Sequence, residues 1–189
     1  MRKAVFGILL VIIPSLCVNA QFKLTPNGFR YENDLSRDFV VFHIEGVSQQ
    51  VLFNNTLSYL TRVYASAPNA ISSHRNEVIT INAWRPRLIR GIVSVNYDLR
   101  YIMVISFRDG RIRIDTPYFN ATNYAFSKPR RLTMSGANLG FGEYVTTGLF
   151  RRNGRPNQTR AIGQLEHFFN TWSNAVAEAA GGKINQEEW

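Results

Sequence analysis

The residues with most chemistry to offer are arginines and aromatics that fall close together. Trp84, Arg85, Arg87 and Arg90 form one group, and Arg108, Arg111 and Arg113 form a second. Lys128, Arg130 and Arg131 follow. A guanidinium presents a planar fork of donors that matches a carboxylate or phosphate, and an aromatic face suits a sugar ring or a base. The seven residues Trp84, Arg85, Arg87, Arg90, Arg108, Arg111 and Arg113 are therefore candidates for holding an anionic partner. That partner would be an anionic glycan, a lipid headgroup or an envelope protein. The arginines are spread along the chain in runs no longer than two, so a solvated outer face accounts for the same residues.

Groups for catalysis are sparse. The three histidines, His43, His74 and His167, stand far apart, without the spacing or the carboxylates of a metal site. No serine has the glycine-flanked setting of a hydrolase nucleophile. The glycines from Gly136 to Gly142 lack the following Lys-Ser or Lys-Thr of a phosphate-binding loop. Asp109 reads as a turn residue. No catalytic, cofactor or metal-binding residues are assigned. The alternative is a hydrolase with an unfamiliar site assembled from distant residues, and a pocket joining Glu77 to His43 would favour it.

These residues sit in a chain of 189 residues whose start reads as an address. Arg2 and Lys3 precede an apolar run from Ala4 to Val18, and Val18-Asn19-Ala20 places small residues before Gln21. Basic end, short apolar core and small-residue cleavage site make residues 1–20 a secretory signal peptide. The run is too short to span a bilayer, which needs roughly 20 apolar residues. The mature chain then starts at Gln21, outside the cytoplasm, in the periplasm or secreted. Lipid attachment at Cys17 is the competing reading, although Leu16 is a poor residue to precede it. Cys17 is the one cysteine, so the mature chain would carry no disulfide. The whole chain has a formal charge of +9; without Arg2 and Lys3 it has 20 basic and 13 acidic residues, +7. Such a charge attracts anionic surfaces. Export argues against nucleic acid as the partner.

The elements that must position these groups follow from periodicity. Residues 21–37 read as a polar leader. Phe39 to Ile44 is a strand. Phe53, Leu57, Leu60 and Tyr64 recur at helical spacing over 48–65, with Ser48 as the expected cap. Val78 to Trp84 is the second strand, ended by Pro86. Leu88 to Tyr97 is the third, and Asp98-Leu99 reverses the chain into the fourth, Arg100 to Phe107. Asp109-Gly110 forms a two-residue hairpin turn into the fifth strand, Arg111 to Asp115. Residues 118–158 read as an irregular insertion holding at least one short strand or hairpin, around Glu143 to Phe150. A helix from Thr159 to Ala180 carries an apolar stripe of Ile162, Leu165, Phe169, Trp172 and Val176. Residues 181–189 form a fraying tail. The order is strand, helix, four strands, irregular segment, helix. It predicts an α+β domain over 38–180: an antiparallel sheet with two helices packed on one face.

The run from Asp38 to Ser48, the helix ending near Tyr64 and the hairpin Phe107-Arg108-Asp109-Gly110-Arg111-Ile112-Arg113 resemble a family. It is the secreted bacterial domain of unknown function with a TBP-like fold. The resemblance covers about residues 36–125. It implies a curved antiparallel sheet backed by helices, as in half of the TATA-binding protein, and it implies no catalytic residues. Fold likeness to a DNA-binding protein carries no function by itself. The sequence thus reads as an exported bacterial envelope protein, a non-catalytic binding or structural domain.

Overall fold

The structure is a computed structural model that describes residues 21–91, 95–136 and 143–181. Residues 1–20, with the proposed leader and Cys17, and 182–189, with most of the proposed tail, lie outside the described residues.

The elements are β1 (Phe22–Thr25), β2 (Gly28–Tyr31), β3 (Phe39–His43), α1 (Gln49–Val63), β4 (Ile71–His74), β5 (Val78–Arg90), β6 (Asn96–Arg108), β7 (Arg111–Asp115), β8 (Tyr118–Asn123), β9 (Arg130–Ser135), β10 (Val145–Phe150) and α2 (Thr159–Ala180). Among the described residues, β3 to β10 form one sheet in the order β10-β9-β8-β6-β5-β4. Along its other edge β6 carries β8 on its first half and β7 on its second, and β3 pairs β7.

Alternation decides which face is buried. On β6, Leu99, Tyr101, Met103, Ile105 and Phe107 are buried while the residues between them are not. Both helices lie on that face. Phe53 of α1 packs edge-on to Phe107, and Phe168 and Phe169 of α2 pack edge-on to Tyr101. The helices also meet each other: the side chain of Asn55, midway along α1, donates to the carbonyl of Ala180, the last residue of α2, at 3.1 Å. The α+β class, the mostly antiparallel sheet and the two helices agree with the sequence reading.

Four expectations need correction. The polar leader is instead a hairpin, β1–β2, whose Phe22, Leu24 and Phe29 are 1%, 3% and 2% exposed. Pro26-Asn27 form its two-residue loop, closed by the Thr25 hydroxyl on the Gly28 carbonyl at 2.7 Å. Its edge is satisfied by α2: Asn170 accepts from Phe22 N–H at 2.6 Å and donates to its carbonyl at 3.1 Å, and Glu166 accepts from Leu24 N–H at 3.0 Å. Partners more than 140 residues away are invisible to local sequence patterns.

The second correction concerns Pro86 and Asp98-Leu99. β5 runs through Pro86 with a register shift between Arg85 and Ile89, and Asp98 and Leu99 lie inside β6. The proline is tolerated because it falls in the bulge. Arg87 there takes a left-handed φ of 54°, and its N–H is received by the Asp98 carboxylate at 2.9 Å. The third is the insertion 118–158: β10 falls where a short strand is expected, but β8 and β9 precede it in the same sheet, with β9 and β10 parallel. Short strands without clean alternation conceal this. The fourth is the cap of α1. The Ser48 side chain makes no capping bond; the Asp109 carboxylate accepts from Gln49 N–H at 2.7 Å. The hairpin turn therefore also caps the helix, and Gly110, at φ 71°, donates to the Val47 carbonyl at 2.9 Å.

Candidate functional site

The face of the sheet opposite the helices is the candidate surface. Register places its residues. Trp84 lies directly opposite Arg100, which lies opposite Asn120; in the adjoining row Asn82 faces Ile102, and Ile102 faces Tyr118. Cross-strand neighbours and their diagonals are within side-chain reach. Trp84 is 54% exposed, Ile102 37% and Tyr118 73%. The centre of this face is thus an aromatic and aliphatic patch set among Arg100, Asn82 and Asn120. Flat rings beside amides and a guanidinium suit a sugar bearing carboxylates.

The second arginine group occupies the far end of the same face. Arg108 lies directly opposite Arg111, and Arg111 directly opposite His43. All three are exposed, and none forms an ion pair among the described residues. Like charges placed directly opposite are unfavourable unless an anion joins them. Arg113 is different: its Nε meets Asp115 at 2.7 Å and its guanidinium lies 4.0 Å from the Phe39 ring centroid.

The structure therefore divides the seven candidates. Trp84 belongs to the central patch. Arg108 ends β6, eight residues along the strand from Arg100, or about 27 Å, and Arg111 and Arg113 stand beside that end on β7. Arg85 pairs with Leu99, on the helix side. Arg87 lies in the bulge. Arg90 pairs with Asn96 at the last position of β5, and its N–H is received by the Gln164 side chain at 2.7 Å. His43 and Glu77 do not converge. Glu77 meets Phe107 of β6, and His43 is two strands further across on β3, a separation of about 14 Å at the usual strand spacing. Arg100, Ile102 and Tyr118 were missed because a turn assigned to Asp98-Leu99 breaks the register that sets them beside Trp84.

A cleft of about 500 Å³ opens beside the patch, between the end of α1 and the edge of β5. Tyr64, Ser66 and Asn69 form one wall; Asn82, Trp84 and Arg85 form the other. Tyr64 is fixed from behind. Its oxygen accepts from Trp172 Nε1 at 2.9 Å and lies 2.8 Å from the Tyr101 hydroxyl. Burial, with the Tyr101 hydroxyl adding to it, holds the Tyr64 phenol far above its ordinary pKa. At neutral pH it is a structural hydroxyl rather than a proton acceptor. Among the described residues, no three His, Cys, Asp or Glu side chains gather as metal ligands, and no helix is long and apolar enough to cross a membrane.

The sequence matches no family model and none of the curated proteins. Solved structures do resemble it. A TBP-like protein from Parabacteroides distasonis superposes with a TM-score of 0.54 at 16% identity, over 75% of this chain and 90% of that one. A DUF4468 family protein from Bacteroides ovatus gives a TM-score of 0.49 at 11% identity, over 79% of this chain and 88% of that one. Identity this low speaks to architecture alone. With the sheet order and the two helices on one face, the first likeness makes this chain an α+β domain with the TBP-like fold.

Proposed function

We propose that the protein is an exported, non-catalytic binding domain whose uncovered sheet face takes up an anionic glycan of the bacterial envelope. One observation carries the reading: Trp84, Arg100, Ile102 and Tyr118 are cross-strand neighbours on a face that neither helix covers. Stacking on Trp84 and Tyr118 would orient a sugar ring, and Arg100 would meet its carboxylate. Arg108 and Arg111 would extend the field along the face. The leader-like residues 1–20 and the basic charge support an envelope setting.

The test is retention of the chain from Gln21 onward on immobilised anionic polysaccharide, compared with anionic liposomes and duplex DNA, at low and high salt. Trp84→Ala and Arg100→Ala should each weaken retention on the polysaccharide about tenfold, the loss expected of one stacking or charge-assisted contact. Arg111→Ala with Arg113→Ala should reduce the salt dependence. Unchanged retention in the Trp84 and Arg100 variants removes the proposed surface. Preference for liposomes makes the partner a lipid headgroup, and preference for DNA overturns the reading. Intact mass of the purified protein separates cleavage after Ala20 from lipid attachment at Cys17.

A further inference from the structure

We propose that the open edge of β5 accepts an extended acidic peptide as an added strand, seated in the cleft beside α1. The backbone phase sets the geometry. Phe107 N–H donates to the Glu77 carbonyl at 2.9 Å, so at Glu77 the chain turns its polar groups toward β6. In an antiparallel ladder these groups alternate sides. Ile79, Ile81, Ala83 and Arg85 therefore bond to β6, and Val78, Thr80, Asn82 and Trp84 face the other way. β4 meets the first two through His74 and Ser72, and its pairing stops at Ile71 with Ile81. Asn82 stands opposite Ala70, whose N–H turns away to the Ala67 carbonyl at 2.9 Å, and Trp84 has no strand opposite it; both residues line the cleft. A strand in line with β4 would pair there, antiparallel to β5, which is recognition by β-addition.

The rest of this edge is closed to pairing. Pro86 has no N–H, Arg87 is in a left-handed conformation, and the register slips before Ile89. Proline, arginine and a bulge are the devices that suppress edge-to-edge association. They begin one residue past the cleft.

Charge selects the occupant. No acidic residue lines the cleft, and Arg85 does. Arg62, in the last turn of α1, and Arg87 flank it, both exposed. A second copy pairing edge to edge would set these arginines against their own counterparts, which disfavours self-association. An acidic peptide meets complementary charge.

The experiment follows backbone amides by NMR in the ¹⁵N-labelled chain from Gln21 onward. The probe is a capped eight-residue peptide of alternating glutamate and threonine. The controls are its lysine-threonine counterpart and the acidic peptide N-methylated at alternate residues in either phase. The acidic peptide should shift the Asn82 and Trp84 amides and slow exchange at Trp84. One phase of N-methylation should weaken binding about tenfold through lost backbone bonds. Arg85→Glu should weaken it by at least as much, and Arg108→Ala with Arg111→Ala should leave it unchanged. Absence of any shift, equal binding of the lysine peptide, indifference to both methylation phases, or concentration-dependent dimerisation through this edge would each overturn the proposal. Failure here leaves the glycan reading standing, because that reading depends on Arg100 and the open face.

Discussion

Replacing Tyr64 by phenylalanine removes one oxygen and strands two buried groups. Trp172 Nε1 loses its acceptor and the Tyr101 hydroxyl loses its partner, at sites 9% and 1% exposed. The ring keeps its volume, so no cavity contributes. A buried polar group left unsatisfied costs about 1–3 kcal/mol, which places the loss of two at about 2–6 kcal/mol. For a domain of this size that lowers Tm by roughly 4–24 °C. Urea unfolding followed by tryptophan fluorescence reads it directly. Tyr101→Phe should cost less, about 1 kcal/mol, because Tyr64 still accepts from Trp172. The double variant strands only the Trp172 N–H, so it should lose less than the two single variants together. The same phenol sets an alkaline limit. Burial raises the Tyr64 pKa in the folded state above the ordinary value near 10. The unfolded chain gives up that proton first, so stability is intact below about pH 10 and falls above it, by up to about 1.4 kcal/mol per pH unit. Tyr64→Phe should flatten that fall. A Tyr64→Phe protein within about 0.5 kcal/mol of the parent, or an additive double variant, would refute the reasoning.

Three further outcomes are expected. A chain starting at Asp38 should fail to unfold cooperatively by circular dichroism. It loses Phe22, Leu24 and Phe29 from the core, each contributing about 1.5–3 kcal/mol, against a total stability of only about 5–15 kcal/mol. Asn170→Ala, which releases the Phe22 backbone, should speed proteolysis within residues 21–31 before the rest of the domain is cut. Asp109→Ala should cost about 1 kcal/mol through the lost cap on Gln49, and Asp109→Asn should recover most of it in urea titrations.

The elements legible in the sequence are those whose pattern is local. β7 alternates Ile112 and Ile114 with charged residues, and α2 repeats its apolar stripe for 22 residues. The Asp109-Gly110 turn was equally plain. The β1–β2 hairpin was not, because Phe22 and Leu24 are two apolar positions in a four-residue strand, and what completes them is Asn170 and Glu166 of the last helix. Gly148 shows the same limit in the region read as an insertion. A side chain there would come within 2.5 Å of the Gly136 carbonyl, so the close approach to β10 of the backbone just past β9 depends on glycine at that position. The candidate surface was half legible. Trp84 and the hairpin arginines were identifiable by type. Arg100, Ile102 and Tyr118 required the register of β5, β6 and β8, which a bulge at Pro86 conceals.

The arginines are not equivalent once their surroundings are known, and this yields a test whose sign matters. Arg113 is held by Asp115 and Phe39, Arg130 by the Phe126 ring at 4.0 Å, and Arg131 by the Tyr144 ring at 3.7 Å. Each has an internal reason to be arginine. Arg108 and Arg111 have none among the described residues and face each other directly. Opposed like charges cost the folded state roughly 0.2–1 kcal/mol. Removing one should therefore leave stability unchanged or raise it slightly. Residues kept at a cost to stability are those that a binding surface requires. Arg111→Ala should match or exceed the parent in urea midpoint and lose retention on anionic polysaccharide. Arg113→Ala should lose stability as well, because it gives up its carboxylate and its ring. If Arg111→Ala destabilises the fold and leaves retention intact, Arg111 is a structural residue and the far end of the sheet is no part of the binding face.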